Sequence, residues 1–399
     1  MSARPPLALL GAPPAFEHPL PVGQLNFPDW GAYVEAMRGI FERQYYTNQG
    51  PLVQTLESTL QARLDIPHVI AVTNATIGLI MAAEALQLRG RVLTPAFSFV
   101  ATAQSLSWAG LEPRFCDVDP ASHHLCPEAV EAALEEPEVS AILAVNLWGD
   151  FADVPRLRTL ALRRGIPLYL DSAHAFGCVS EEGPAGTLGE VEVFSFHATK
   201  VLGATEGGCI CTADDTLAAR LRNIRSSYGA GPPVPVARTA NGRMSEAQAA
   251  IALLELERLP AIIERNHQLL AAYRTGLEGL PGLHLRAPQR AVQSNGQYAV
   301  CEIDAAALGL NRDALQAVLR AENVLARRYF HPGIHRLPPY RDGLLPPGGL
   351  PHTDALCNRL LQLPVGQRVD TADVERICDL IRLAHTHADA VSSTMEVAR

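Results

Sequence analysis

The sequence predicts an α/β architecture, with a mostly parallel central sheet in a large domain and a smaller α/β domain towards the C-terminus. Two patterns carry this reading. Between residues 66 and 171, short apolar runs alternate with segments of helical period, the signature of βαβ units covered on both faces. After Asp171 that rhythm breaks, and a strongly helical stretch over 244–276 is long enough to bridge two domains. A chain of 399 residues that is 48% hydrophobic can bury a full core without disulfide or metal staples.

Residues 1–30 are proline-rich and read as an extended arm, 31–255 as the large domain and 256–399 as the small one. A stripe of Tyr33, Met37, Ile40 and Phe41 marks the first helix, over 30–44. His68-Val69-Ile70-Ala71-Val72-Thr73 reads as a strand leading into a helix with Ile77, Ile80, Met81, Ala85 and Leu88 on one face. Further strands fall at 91–94, 114–118, 140–147 and 167–171. Helices separate them, one running through Trp108 and others over 127–134 and 154–163. Two more strand-like runs, 191–196 and 208–212, flank a loop containing Lys200. The stretch 225–242 has no period and reads as a long loop. Pro and Gly prevail over 337–351, another loop, and the last dozen residues read as a loose tail.

Composition narrows the function. A net charge of −9, from 33 basic and 42 acidic residues, argues against a nucleic-acid partner, whose usual footprint is a basic face. No run approaches the roughly 20 apolar residues of a membrane span. The apolar run Leu7-Ala8-Leu9-Leu10 is too short and too proline-flanked for a secretory signal. Eight cysteines without CxxC spacing read as buried small hydrophobes in a reducing compartment, so a cytoplasmic protein is expected. Dinucleotide, P-loop, zinc-helix and nucleophile-elbow fingerprints are all absent. His331 and His335 stand four apart, but Pro332 and Gly333 between them forbid a helical metal pair. His123-His124 reads as a solvated turn, and no metal is expected.

Three features remain. Asn74-Ala75-Thr76 sits where a strand ends and a helix begins; it is either a phosphate site on the helix N-terminus or a plain N-cap. Asp171 ends a hydrophobic strand, where ligands of parallel sheets lie, though a turn aspartate would look the same. Lys200 follows a buried strand in Phe194-Ser195-Phe196-His197-Ala198-Thr199-Lys200 and gains meaning only if it faces the same crevice. Together they meet the needs of pyridoxal phosphate: a cradle for phosphate, a carboxylate to keep the pyridine nitrogen protonated, and an amine for a Schiff base.

At these residues the sequence resembles the sugar aminotransferases of the DegT/DnrJ/EryC1/StrS family, pyridoxal-phosphate enzymes of the aspartate aminotransferase-like type I fold. The likeness runs from Asn48-Gln49-Gly50-Pro51 to Leu363-Pro364. Its most specific pieces are Asp171-Ser172-Ala173-His174-Ala175-Phe176-Gly177, Ser195-Phe196-His197-Ala198-Thr199-Lys200, Glu206-Gly207-Gly208 and Asn241-Gly242-Arg243-Met244-Ser245-Glu246. The resemblance implies that Lys200 binds the cofactor's aldehyde and later shuttles a proton, and that Asp171 pairs with the pyridinium nitrogen. It places His174 near the ring hydroxyl, Phe99 against the ring face, and Ala75, Thr76 and Ser195 around the phosphate. Asn241 or Arg243 would reach into a partner subunit's site, which makes a homodimer the expected assembly.

Some positions depart from the family pattern. The phosphate turn reads Asn-Ala-Thr where many members have Ser-Gly-Thr, and Gly242 stands where an aromatic is more usual. Relatives that exchange the lysine for histidine become dehydratases, so Lys200 implies transamination. The resemblance also implies a nucleotide-linked keto-deoxysugar as acceptor, L-glutamate as donor and pyridoxamine 5'-phosphate as the alternate cofactor form. Arg328, His331 and His335 fall in a segment that the resemblance makes substrate-facing; a solvated turn shaped by Pro332 and Gly333 is the other reading. A keto-cyclitol or other carrier-bound ketone is a second acceptor class. A non-catalytic regulator that keeps the fold is the alternative from outside enzymology.

Overall fold

The computed structural model describes residues 6–227, 232–343 and 345–397. The central sheet has seven strands: β1 (His68–Val72), β2 (Arg91–Pro95), β3 (Glu112–Cys116), β4 (Val139–Val145), β5 (Leu168–Asp171), β6 (Val191–Ser195) and β7 (Gly208–Thr212). Their order in space is β1-β7-β6-β5-β4-β2-β3. β7 runs antiparallel to both neighbours and the other pairings are parallel. Strands such as Val69-Ile70-Ala71-Val72 are buried throughout because helices cover both faces of the sheet. One face packs on Val53, Leu56, Leu60 and Leu259, the other on Leu79, Met81, Ala82 and Leu221. The helix Ala75–Ala85 lies close against the sheet at Gly78, where a Cβ would come within 2.8 Å of Val193 Cγ1.

A second core gathers around the antiparallel strands β8 (Leu283–Leu285), β9 (Ala299–Ile303) and β10 (Leu360–Leu363), with Leu269, Tyr273, Leu319 and Ile377. The helix Glu246–Gly276 runs from one core to the other: Ala249, Ala252 and Leu259 belong to the first, Leu269 and Tyr273 to the second. Ser245 and Gln248 close its N-terminus in a capping box, which is why it starts where the aperiodic stretch ends.

The structure corrects several expectations. Two helices, Pro51–Leu64 and Asp215–Ser226, stand where no helix was anticipated. Each buries a stripe (Val53, Leu56, Leu60 and Leu64; Leu217, Leu221 and Ile224) diluted by polar residues between its apolar positions. The aperiodic stretch therefore begins only after Ser226, and residues 228–231 of it lie outside the described residues. The C-terminal segment is not a loose tail but a helix, Ala388–Val397, anchored by buried Val391. Nor is the arm free. Leu7 and Phe16 are buried in the second core, and the Glu322 carboxylate accepts the N–H groups of Ala8 and Ala15, each at 2.7 Å.

His123 and His124 are buried rather than solvated. His123 Nε2 meets Glu302 Oε1 of β9 at 2.9 Å, and His124 Nε2 accepts the Leu147 N–H at 3.1 Å. Burial pushes both imidazoles down, His124 to about 3, so they serve as neutral struts. All eight cysteines are free, seven of them buried. No helix among the described residues is long and apolar enough to cross a membrane.

The docked arm has a measurable consequence. Leu7→Ala should lower the free energy of unfolding by about 2–5 kcal/mol in a urea titration, the usual cost of truncating a buried leucine. A loss near zero would mean that the arm contributes nothing to the second core.

Candidate active site

Parallel strands end on one rim of the sheet, and the loops leaving that rim wall a single cavity of about 720 Å³. Asn74 follows β1 and caps the helix Ala75–Ala85 by accepting the Ile77 N–H at 2.9 Å. Ala75 and Thr76, in the first turn, line the cavity, so amides left without helical partners face it. Ser98 and Phe99 come from the loop after β2, Asn146 and Leu147 from the loop after β4. Ser195 ends β6 and also lines the wall.

Asp171, the last residue of β5, is only 6% exposed. Its carboxylate accepts the Thr102 hydroxyl at 2.8 Å and the Ala173 N–H at 3.2 Å. Burial raises its pKa; those two donors and the more distant Lys200 oppose the rise. Neither hydrogen-bonding partner is a cation, which leaves a buried acid facing a cavity with capacity to accept from a protonated ring.

His174 is buried with its Nδ1 unpartnered, its ring 5.6 Å from that of Trp148 and 4.5 Å from that of Tyr298. Burial, seconded by Lys200, holds its pKa well below the ordinary value, so the ring is neutral. That unpartnered nitrogen is free to hydrogen-bond water or a ligand.

Lys200 projects from the loop between β6 and β7 into the same cavity, and its Nζ donates to Tyr298 Oη at 3.4 Å. It is the only lysine among the chain's 33 basic residues. Burial lowers its pKa to about 8, only partly opposed by Asp171. The three features read from the sequence thus share one crevice.

Other anticipated residues lie elsewhere. Asn241 and Arg243 do not line the cavity of their own chain. Their loop is pinned by the Thr73 N–H donating to Gly242 O at 2.8 Å. Gly242 lies against the helix beneath, where a Cβ would come within 2.8 Å of Met81 Sδ. Arg328 and His331 line a neighbouring cavity of about 340 Å³ that shares Ser98, Phe99, Arg327, Tyr329 and Phe330 with the first. His335 lines neither; its buried ring meets Asp354 at 3.0 Å and supports the turn after Gly333. Arg327, in the same anticipated segment, does line the main cavity. Sequence reasoning missed Thr102, Trp148 and Tyr298. None stands in a motif, and only the fold brings them to the rim.

The geometry can be set beside known proteins. A model of the DegT/DnrJ/EryC1/StrS aminotransferase family matches residues 31–382. The chain belongs to this family. It is therefore an aminotransferase, and the reading as a non-catalytic scaffold falls away. It is 31% identical over 381 residues to a dTDP-4-amino-4,6-dideoxy-D-glucose transaminase of Shigella dysenteriae, covering 95% of this chain and 97% of that protein. Among solved structures, DesI in the presence of its TDP-sugar product superposes with a TM-score of 0.92 at 41% identity, over 98% of this chain and 99% of that one. DesV of S. venezuelae, in complex with a ketimine intermediate, gives 0.82 at 27% identity over 92% and 99%. These neighbours bear out the type I aminotransferase fold.

The lone lysine makes its ionisation directly readable. In the cofactor-free protein, the rate at which an amine reagent labels Lys200, followed by peptide mass spectrometry, should rise through a midpoint near pH 8, because the amine is neutral only above its pKa. A midpoint near that of an exposed lysine would show that burial does not tune the residue.

Proposed function

We propose that this aminotransferase moves an amino group from an amino acid, L-glutamate by preference, to a keto-deoxysugar carried on a nucleotide, using pyridoxal 5'-phosphate held in the larger cavity. The observation that carries the reading is Asp171 and Lys200 facing one cavity whose rim is a helix N-terminus. The residues present fit the cofactor. Ala75, Thr76 and Ser195 would hold its phosphate, Asp171 its ring nitrogen, His174 with its orphaned Nδ1 its polar ring edge, and Phe99 its face. When bound, the cofactor supplies an electron-withdrawing ring that stabilises negative charge on the carbon losing its proton.

The chain's own groups do the rest. Burial raises the Asp171 pKa; the Thr102 and Ala173 donors oppose the rise, and a cationic ring nitrogen beside it would favour its anionic form further. Lys200, with a pKa of about 8, would hold the cofactor through its aldehyde, and its free Nζ can take up and return a proton near neutral pH. The relatives' nucleotide-linked sugars support the acceptor class. So does the neighbouring cavity. Arg328 there is tied to Asp313, whereas among the described residues neither Arg327, whose guanidinium donates to the Tyr329 hydroxyl, nor Arg320 has a carboxylate partner. Guanidinium groups without acids beside them suit a diphosphate. A second copy of the chain would cover the rim, where Phe99 is 57% and Trp108 78% exposed, and would supply Asn241 or Arg243.

With pyridoxal phosphate the purified protein should absorb in the visible range and bleach on addition of L-glutamate. Borohydride should fix the cofactor's mass on the Lys200 peptide alone. Lys200→Ala should lose the band and at least about 100-fold in turnover. Nucleotide-linked ketosugars assayed beside ketocyclitols decide the acceptor class, and sedimentation decides the dimer. A colourless protein that ignores glutamate would refute the cofactor reading.

A further inference from the structure

The active lysine has a hydrogen-bond partner from a distant part of the chain. Tyr298 stands at the head of β9 in the small antiparallel sheet, whereas Lys200, Asp171 and His174 hang from the large one. Its Oη accepts from Lys200 Nζ at 3.4 Å. The ring is wedged between two neighbours, its centroid 4.5 Å from His174 and 5.5 Å, edge-on, from Trp148.

The residues before it fasten this segment to the backbone on either side of the site. Gln297 Oε1 accepts the Val201 N–H at 2.8 Å, next to the lysine. Gln297 Nε2 donates to His174 O at 3.1 Å, and Asn295 Nδ2 donates to His174 O at 3.0 Å and to Phe176 O at 3.1 Å. Gln297 and Asn295 are buried, so these bonds are shielded from water. Three polar side chains in one four-residue stretch thus address the lysine, its following residue and the cofactor-facing histidine.

We infer that Tyr298 is a positioning residue for Lys200: its hydroxyl accepts from the ammonium form and donates to the neutral amine, keeping Nζ aimed into the cavity whenever it is not bonded to the cofactor. The inference rests on the aminotransferase role of Lys200. A phenol suits the task because it can reverse its hydrogen bond as the amine changes protonation. Burial holds the Tyr298 phenol well above its ordinary pKa, so it keeps its proton over the range in which the lysine titrates. The ionisable and charged groups around the pair are Asp171 and His174 from the large sheet's loops and Tyr329 and Arg327 from the segment after Ala326.

The test is Tyr298→Phe, which keeps the ring between His174 and Trp148 and removes only the hydroxyl. In the cofactor-free protein the labelling midpoint of Lys200 should fall by about half a pH unit or more, since the ammonium form loses its acceptor. In the loaded enzyme kcat should fall about 10- to 100-fold while KM for the amino donor stays within about twofold, because the loss concerns proton transfer rather than binding. Far-UV circular dichroism and thermal unfolding check that the variant is folded. A midpoint and kcat both like wild type would overturn the inference. So would a reduced kcat with an unmoved midpoint, which would place the hydroxyl's role elsewhere than on Lys200. A shifted midpoint in a protein whose wild type does not transaminate would sink the aminotransfer reading and still support the contact.

Discussion

A half-buried amine and a buried carboxylate face one cavity without bonding each other, and most of the site's chemistry follows from that separation. A direct Lys200–Asp171 pair would have locked the lysine in its charged form and cancelled the acid's charge. Held apart, each keeps an unfilled valence toward the cavity. Asp171 meets only a hydroxyl and an amide, and Lys200 only a phenol. Burial then brings the amine to about 8, where it can both carry and release a proton, and raises the acid's pKa against its two donors.

The sheet topology enforces the separation. Parallel strands deliver their C-terminal ends to one rim, so residues after β1, β2, β4, β5 and β6 converge without any of them being close in sequence. The antiparallel β7 turns the chain back across the rim, and Lys200 lies on that return. The helix Ala75–Ala85 can press its N-terminus into the same space because Gly78 lets it approach the sheet. The second core closes the cavity from the other side with Tyr298, Arg327 and Tyr329, and buried polar contacts such as His123–Glu302 and Arg286–Asp150 fix the junction.

Much of this was legible beforehand, and the reasons differ by element. The strands 68–72, 139–145 and 168–171 announce themselves because strands covered on both faces are apolar throughout. The helix Pro51–Leu64 did not, since its buried stripe is interrupted by Gln, Thr, Glu and Ser, and the closing helix Ala388–Val397 buries too little to stand out. His123-His124 misled because polar pairs are usually solvated; here a neighbouring unit buries them.

The sequence by itself determined the fold class and the family and singled out Lys200 and Asp171 as candidates, because those readings depend on local order: period, capping and motif. Tertiary structure alone decided which side chains share a cavity. It brought in Thr102 and Tyr298, turned His335 away to Asp354, and left Asn241 and Arg243 outside their own chain's cavity. Contacts of that kind join residues remote in the chain, and their energy depends on burial and distance, neither of which is written in the spacing of amino acids.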